Sequence, residues 1–118
     1  MKYDVNDRLI WFKGEILNVN NAKLNVLSPT SQFGLNVFEG VPGYWNEEEK
    51  QLYAFRLDDH YTRLLRSAKL LQLDCKYSKE DFKQALIDTV RANEYDENIS
   101  IELKKEIEKD GITIYEKI

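Results

Sequence analysis

An α+β domain, an antiparallel sheet with two helices packed on one face, is the fold class that this sequence predicts, and three observations predict it. Short apolar runs at strand period, separated by Gly and Asn turns, fill the first half of the chain. From Asp58 the apolar spacing changes to three and four residues and keeps that rhythm through two segments. Strands gathered ahead of helices, rather than alternating with them, suit a sheet covered on one side.

The elements follow in order. Leu9-Ile10-Trp11-Phe12 and Glu15-Ile16-Leu17-Asn18-Val19 flank Lys13-Gly14 and read as a hairpin, because Gly14 accepts the positive φ of a tight turn. Asn20-Asn21 signals a second turn, and Lys23-Leu24-Asn25-Val26 alternates polar with apolar, which predicts a third strand. Between Gln32 and Tyr44, Gly34, Gly40, Pro42 and Gly43 interrupt the apolar residues and exclude a regular helix, with a close backbone approach expected there. Gly43-Tyr44-Trp45 and Leu52-Tyr53-Ala54-Phe55 enclose the polar run 46–50 and predict a second hairpin with a solvated tip.

A helix from Asp58 to about Leu73 follows from the spacing of Tyr61, Leu64, Leu65, Ala68 and Leu71, with Asp58-Asp59 capping its start. Ser78-Lys79-Glu80-Asp81 has the form of a capping box, and Phe82, Ala85, Leu86, Thr89 and Val90 make one apolar face of a second helix ending near Asn93. Beyond Asn98, Ile99-Ser100-Ile101 reads as a returning strand, 102–109 as a charged helical segment through Leu103 and Ile107, and Ile112-Thr113-Ile114-Tyr115 as a strand.

Composition narrows the functions. An apolar fraction of 42% and a charged fraction of 32% are those of a folded soluble protein, long enough to bury roughly two-thirds of its unfolded surface. The net charge is −4 and the basic residues are scattered, so nucleic acid is not an expected partner. No stretch approaches the roughly 20 apolar residues of a membrane span, and Met1-Lys2-Tyr3-Asp4 opens no apolar leader. A cytoplasmic location and no membrane partner are the expectation.

Chemistry-bearing residues are few. Cys75 is the sole cysteine, which excludes an internal disulfide and leaves too little sulfur for zinc. His60 is the sole histidine, and at a helix start it is more often solvated or capping than a general base. Glu47-Glu48-Glu49 reads as a solvated tip, since adjacent carboxylates on a turn repel rather than converge on a metal. Arg63 and Arg66, three apart among Leu64, Leu65 and Ala68, place at least one guanidinium at the edge of the packed face, where it suits a phosphate. A surface arginine is the commoner outcome of that pattern.

Three segments follow one another along the chain: Ile10-Trp11-Phe12-Lys13-Gly14-Glu15, then Phe33-Gly34-Leu35-Asn36-Val37-Phe38-Glu39-Gly40-Val41-Pro42-Gly43-Tyr44, then Phe55-Arg56-Leu57-Asp58-Asp59-His60-Tyr61-Thr62-Arg63-Leu64-Leu65-Arg66-Ser67-Ala68-Lys69. In order and spacing they resemble the branched-chain type of class IV, pyridoxal-phosphate-dependent aminotransferases. The resemblance covers about residues 8 to 98 and implies that family's small domain over 1–98, with 99–118 a divergent tail. It also implies that Arg63 binds the phosphate of pyridoxal phosphate and that Phe33, Phe38 and Gly40 line the substrate side-chain pocket. A guanidinium can bond phosphate in pairs, and rings beside a glycine shape an apolar cavity. Phe33 replaces the family's usual tyrosine and Pro42 an arginine common in many members, which leaves the preferred amino acid open.

The resemblance implies amino-group transfer between a branched-chain amino acid and 2-oxoglutarate, shared by a homo-oligomer or completed by a missing large domain. In the family that large domain carries the Schiff-base lysine, and no lysine here, including Lys69, Lys104 and Lys105, sits in its motif. Covalent attachment of the cofactor to this chain is therefore not expected, and the chain alone is expected to be inactive. A second reading is a non-catalytic association module exposing Phe33, Phe38, Tyr44 and Trp45. D-amino-acid aminotransferases and aminodeoxychorismate lyases share the fold and stand as alternatives within the enzymatic class.

Overall fold

A computed structural model describes residues 5–117. The opening Met1–Asp4, where no leader is expected, lies outside the described residues, as does Ile118. Six antiparallel strands form one sheet in the order β2-β1-β6-β5-β3-β4: β1 Leu9–Phe12, β2 Glu15–Asn18, β3 Asn36–Asn46, β4 Gln51–Ala54, β5 Ile99–Glu106 and β6 Ile112–Glu116. Helices α2 (Leu57–Leu70) and α3 (Lys79–Asn93) lie on one face, α2 against β3 and β5 and α3 against β1 and β6, and a one-turn α1 (Pro29–Phe33) precedes β3 in the chain. The α+β expectation therefore holds.

Local chemistry accounts for the turns. Lys13 and Gly14 both take positive φ, 52° and 99°, the two-residue loop whose twist matches a hairpin, and Phe12 pairs with Glu15 across it. The 46–50 tip joins β3 to β4 with Tyr44 opposite Tyr53 and Asn46 opposite Gln51, as expected of the second hairpin. Ser78 caps α3 in a reciprocal box with Asp81. The start of α2 differs from expectation: its N-cap is Arg56, in the left-handed region at φ 51°, and it makes no side-chain cap. Asp58 and Asp59 sit inside the first turn, where they face the positive end of the helix dipole. The helix stops at Leu70, Gln72 turns left-handed, and the Leu73 N–H closes onto the Ala68 carbonyl at 2.8 Å.

Three expectations are corrected. Residues 23–26 form no strand, because the side chains of Asn18 and Asn25 accept bonds from the N–H groups of Asn20 and Leu27 and turn the chain instead. Strand β3 begins at Asn36 rather than Gly43, and its glycines do not break it: Gly40 stands in open space, while Gly43 is where backbone packs closely, 3.2 Å from Ile99 Cγ1 to the position a Cβ would take. The charged segment 102–109 is not helical. Residues 102–106 continue β5, and residues 99–116 supply two central strands of the sheet.

Period two explains that last correction. Ile101, Leu103 and Lys105 alternate onto the helix-covered face, opposite Val41, Glu39 and Val37 of β3, and Leu103 and Lys105 face Ile114 and Ile112 of β6. Leu103 and Ile114 are 0% exposed and close the core around Tyr61, Leu64 and Phe82. Lys105 is also buried, its ammonium donating to the Glu106 and Glu108 carbonyls. Pairing with two neighbours overrides the helical spacing of Leu103 and Ile107.

Glu106, at the end of β5, is 5% exposed, its Oε1 has no hydrogen-bond partner, and burial pushes its carboxyl above the usual carboxylate range. A raised folded pKa favours the protonated fold, so its contribution is present below about pH 4.5 and lost as pH rises through the folded value. Glu106→Gln is therefore expected to stabilise the protein by about 1 kcal/mol at pH 7 and to give no advantage at pH 4. Thermal melts of both proteins at the two pH values check this.

Candidate functional site

Alternation along β3 divides its side chains between two environments. Val37, Glu39 and Val41 point to the helices and are buried, whereas Phe38, Gly40 and Tyr44 lie on the face that no helix covers. Phe38 is 60% exposed and faces Lys104 across the ladder, and Gly40 faces Glu102. Phe33, at the end of α1, is 77% exposed. The structure thus puts Phe38 and Gly40 two apart on one open surface, with Phe33 on the helix leading into the same strand. None of these three lines any of the four main cavities among the described residues.

Arg63 sits elsewhere. Tyr61, Leu64 and Ala68 form the buried stripe of α2, and His60 and Arg63, one turn apart, stand at its margin toward β3. There they meet Glu39. The Arg63 Nε donates to Glu39 Oε2 at 2.7 Å and Nη2 donates to Oε1 at 2.7 Å, while His60 Nδ1 lies 2.9 Å from Oε1. The side chain of Glu39 is 7% exposed and that of Arg63 64%. The Arg63 guanidinium, followed by the His60 hydrogen bond, holds the Glu39 carboxyl below the usual carboxylate range against the opposing effect of burial. Its stabilising pairing is thus present above about pH 4.5 and is lost as pH falls through the lower folded value.

The exposed side of Arg63 opens into a cavity of about 410 Å³ that it shares with Phe55, Arg56, Asp59, His60, Thr62 and Arg66. Arg56 is tied to Asp59 at 2.7 Å, and Arg66 has no partner among the described residues. Three guanidinium groups and a hydroxyl surround one opening, with the Asp59 carboxylate there paired to Arg56, so that Arg66 and the free edge of Arg63 are the donors left for an anion. A cavity of about 550 Å³ lies apart from these residues, between β4 and α3 around Leu52, Leu86 and Val90.

Glu39 is the site residue that sequence reasoning passes over. In the sequence it belongs to a glycine-broken segment, and the available signal is its place at the inward phase of β3, where a carboxylate must have a cationic partner. Among the described residues, no group of three or more His, Cys, Asp or Glu is placed to hold a metal, and no helix is long and apolar enough to cross a membrane.

Known proteins resemble this chain along most of its length. The family described as amino-transferase class IV matches residues 36–116. A probable branched-chain-amino-acid aminotransferase of Aquifex aeolicus is 36% identical over 91 residues, 77% of this chain and 29% of that protein. The branched-chain aminotransferase of Thermoproteus uzoniensis, solved with norvaline, superposes with a TM-score of 0.83 at 38% identity over 93% of this chain and 40% of the other. That of Thermobaculum terrenum, solved in its PLP form, gives 0.81 at 30% identity over 97% and 41%. The chain thus spans under a third of the Aquifex aeolicus relative and about two-fifths of the solved chains. The match to residues 36–116, together with a sheet and helices shared with these enzymes, shows that the chain belongs to the class IV aminotransferase family and has the small-domain fold of its branched-chain members.

Proposed function

We propose that this chain supplies the small-domain part of a branched-chain amino acid aminotransferase, in which Arg63 anchors the phosphate of pyridoxal phosphate. The observation that carries the reading is the Arg63 cavity: a guanidinium held on one side by Glu39 and open on the other, beside Arg56, Thr62 and Arg66. Those donors fit a dianionic phosphate. When bound, the cofactor supplies the electron sink for amino-group transfer. The chain's own part is to bind the phosphate and to offer Phe38 and Gly40, with Phe33, as one wall against an aliphatic side chain. Amino acid and 2-oxo acid are then the substrates of the whole enzyme, in a cytoplasmic setting.

No lysine lines the Arg63 cavity. Mixing the chain with pyridoxal phosphate, reducing with borohydride and weighing the protein is therefore expected to give no single stoichiometric adduct. One adduct at a single lysine would overturn this account of the site. Arg63→Ala is expected to weaken pyridoxal phosphate binding about tenfold, the effect of one charge-assisted phosphate contact, as read by titration of the cofactor's absorbance.

The exposure of Phe33, Phe38 and Tyr44 favours a second reading, that this surface is covered by a second copy or by a large domain. Sedimentation of the chain alone tests the first of these covers. A concentration-dependent dimer lost in Phe38→Asp supports it.

A further inference from the structure

Glu39 commits both carboxylate oxygens to one guanidinium. Its position is set by the β3–β5 ladder, where it stands opposite Leu103, and its side chain is buried. Arg63, by contrast, projects from α2 with its side chain mostly in solvent, and the two bonds to Glu39 are the contacts that fix its end. A fork through Nε and Nη2 uses two of the five guanidinium protons. Both protons of Nη1 and one of Nη2 remain for an incoming anion.

We propose that Glu39 is the positioning residue of the anion anchor, holding Arg63 in the orientation that presents Nη1 to the cavity, with His60 bracing the carboxylate through its shared Oε1. The inference rests on the reading of Arg63 as a phosphate ligand, and it adds the reason that a long exposed side chain can be preorganised. A free arginine loses rotamer freedom on binding an anion, and one already forked onto a buried carboxylate has lost most of it beforehand. The same geometry has an opposite reading: an internal carboxylate could occupy the guanidinium and compete with the anion. The two readings predict opposite signs.

The test uses the full chain labelled with 15N-arginine and titrated with inorganic phosphate. In the unmodified chain the Arg63 Nε–H signal is expected to be resolved and slow to exchange with water, unlike that of Arg66. Glu39→Gln keeps the shape but sets an amide NH₂ against the guanidinium. It is expected to bring the Arg63 signal to the position and exchange rate of a free arginine and to weaken phosphate binding about tenfold, with circular dichroism unchanged. Glu39→Asp, too short for the same fork, is expected to lose the slow Arg63 signal as well. Unchanged or tighter phosphate binding in folded Glu39→Gln would overturn the proposal. If that variant does not fold, an Arg63 signal that exchanges as fast as Arg66 in the unmodified chain overturns it too. Failure of the underlying reading is separate: Arg63→Ala would then bind phosphate like the unmodified chain, whatever the Glu39 variants do.

Discussion

Deleting residues 111–118 is expected to abolish cooperative folding. Strand β6 stands between β5 and β1, so its removal detaches the β1–β2 hairpin from the rest of the sheet. Ile112 and Ile114, 1% and 0% exposed, leave the core with it. At about 1.5–3 kcal/mol for each buried isoleucine, that loss alone approaches the lower end of the roughly 5–15 kcal/mol that holds a typical domain together. The exposed edge of β5 would add an unpaired row of backbone groups. Calorimetry decides the matter: a single sharp transition in the truncated chain would show that 1–110 folds without its sixth strand.

The second large effect contrasts two neighbours on β3. Val41→Asp puts an unpaired carboxylate at a position of 0% exposure and is expected to cost about 4 kcal/mol or more, since burial of a charge without a partner is among the few single changes of that size. Phe38→Asp, three residues earlier and on the other face, is expected to change stability by less than about 1 kcal/mol, as surface substitutions do. Urea unfolding of the two variants reads the difference directly. Comparable losses would mean that the open face is part of the core. A stable Phe38→Asp would separate the role of that surface in association or substrate contact from any role in folding.

The same strand explains why a carboxylate is tolerated at Glu39 and not two residues later, in place of Val41. Both positions point toward the helices, and only Glu39 meets a guanidinium and an imidazole from α2. Burial of a carboxylate is tolerable when its oxygens are bonded to a cation and is severe when they are not.

Much of this protein can be read along the chain. The two hairpins, the capping box at Ser78 and the apolar stripes of α2 and α3 are written in neighbouring residues, because turn dihedrals, helix caps and amphipathic faces depend on contacts within a few positions. The resemblance of the Phe33–Tyr44 and Phe55–Lys69 segments is equally legible, and the match to known aminotransferases agrees with it. Arg63 can be named from the sequence, but not its partner.

Tertiary structure decided the rest. Leu103 and Ile107 satisfy a helical spacing and Leu103 and Lys105 a strand spacing, and only the presence of β3 and β6 on either side selects the strand. Lys23–Val26 carries a clean alternation and forms no strand, because local Asn side chains turn the backbone there. Glu39 and Arg63 are 24 residues apart, and their bond exists because β3 and α2 pack against each other. Local rules fix dihedral preferences and the faces of single elements. Which faces meet, and therefore which charges become partners, depends on the burial of surfaces distant in sequence.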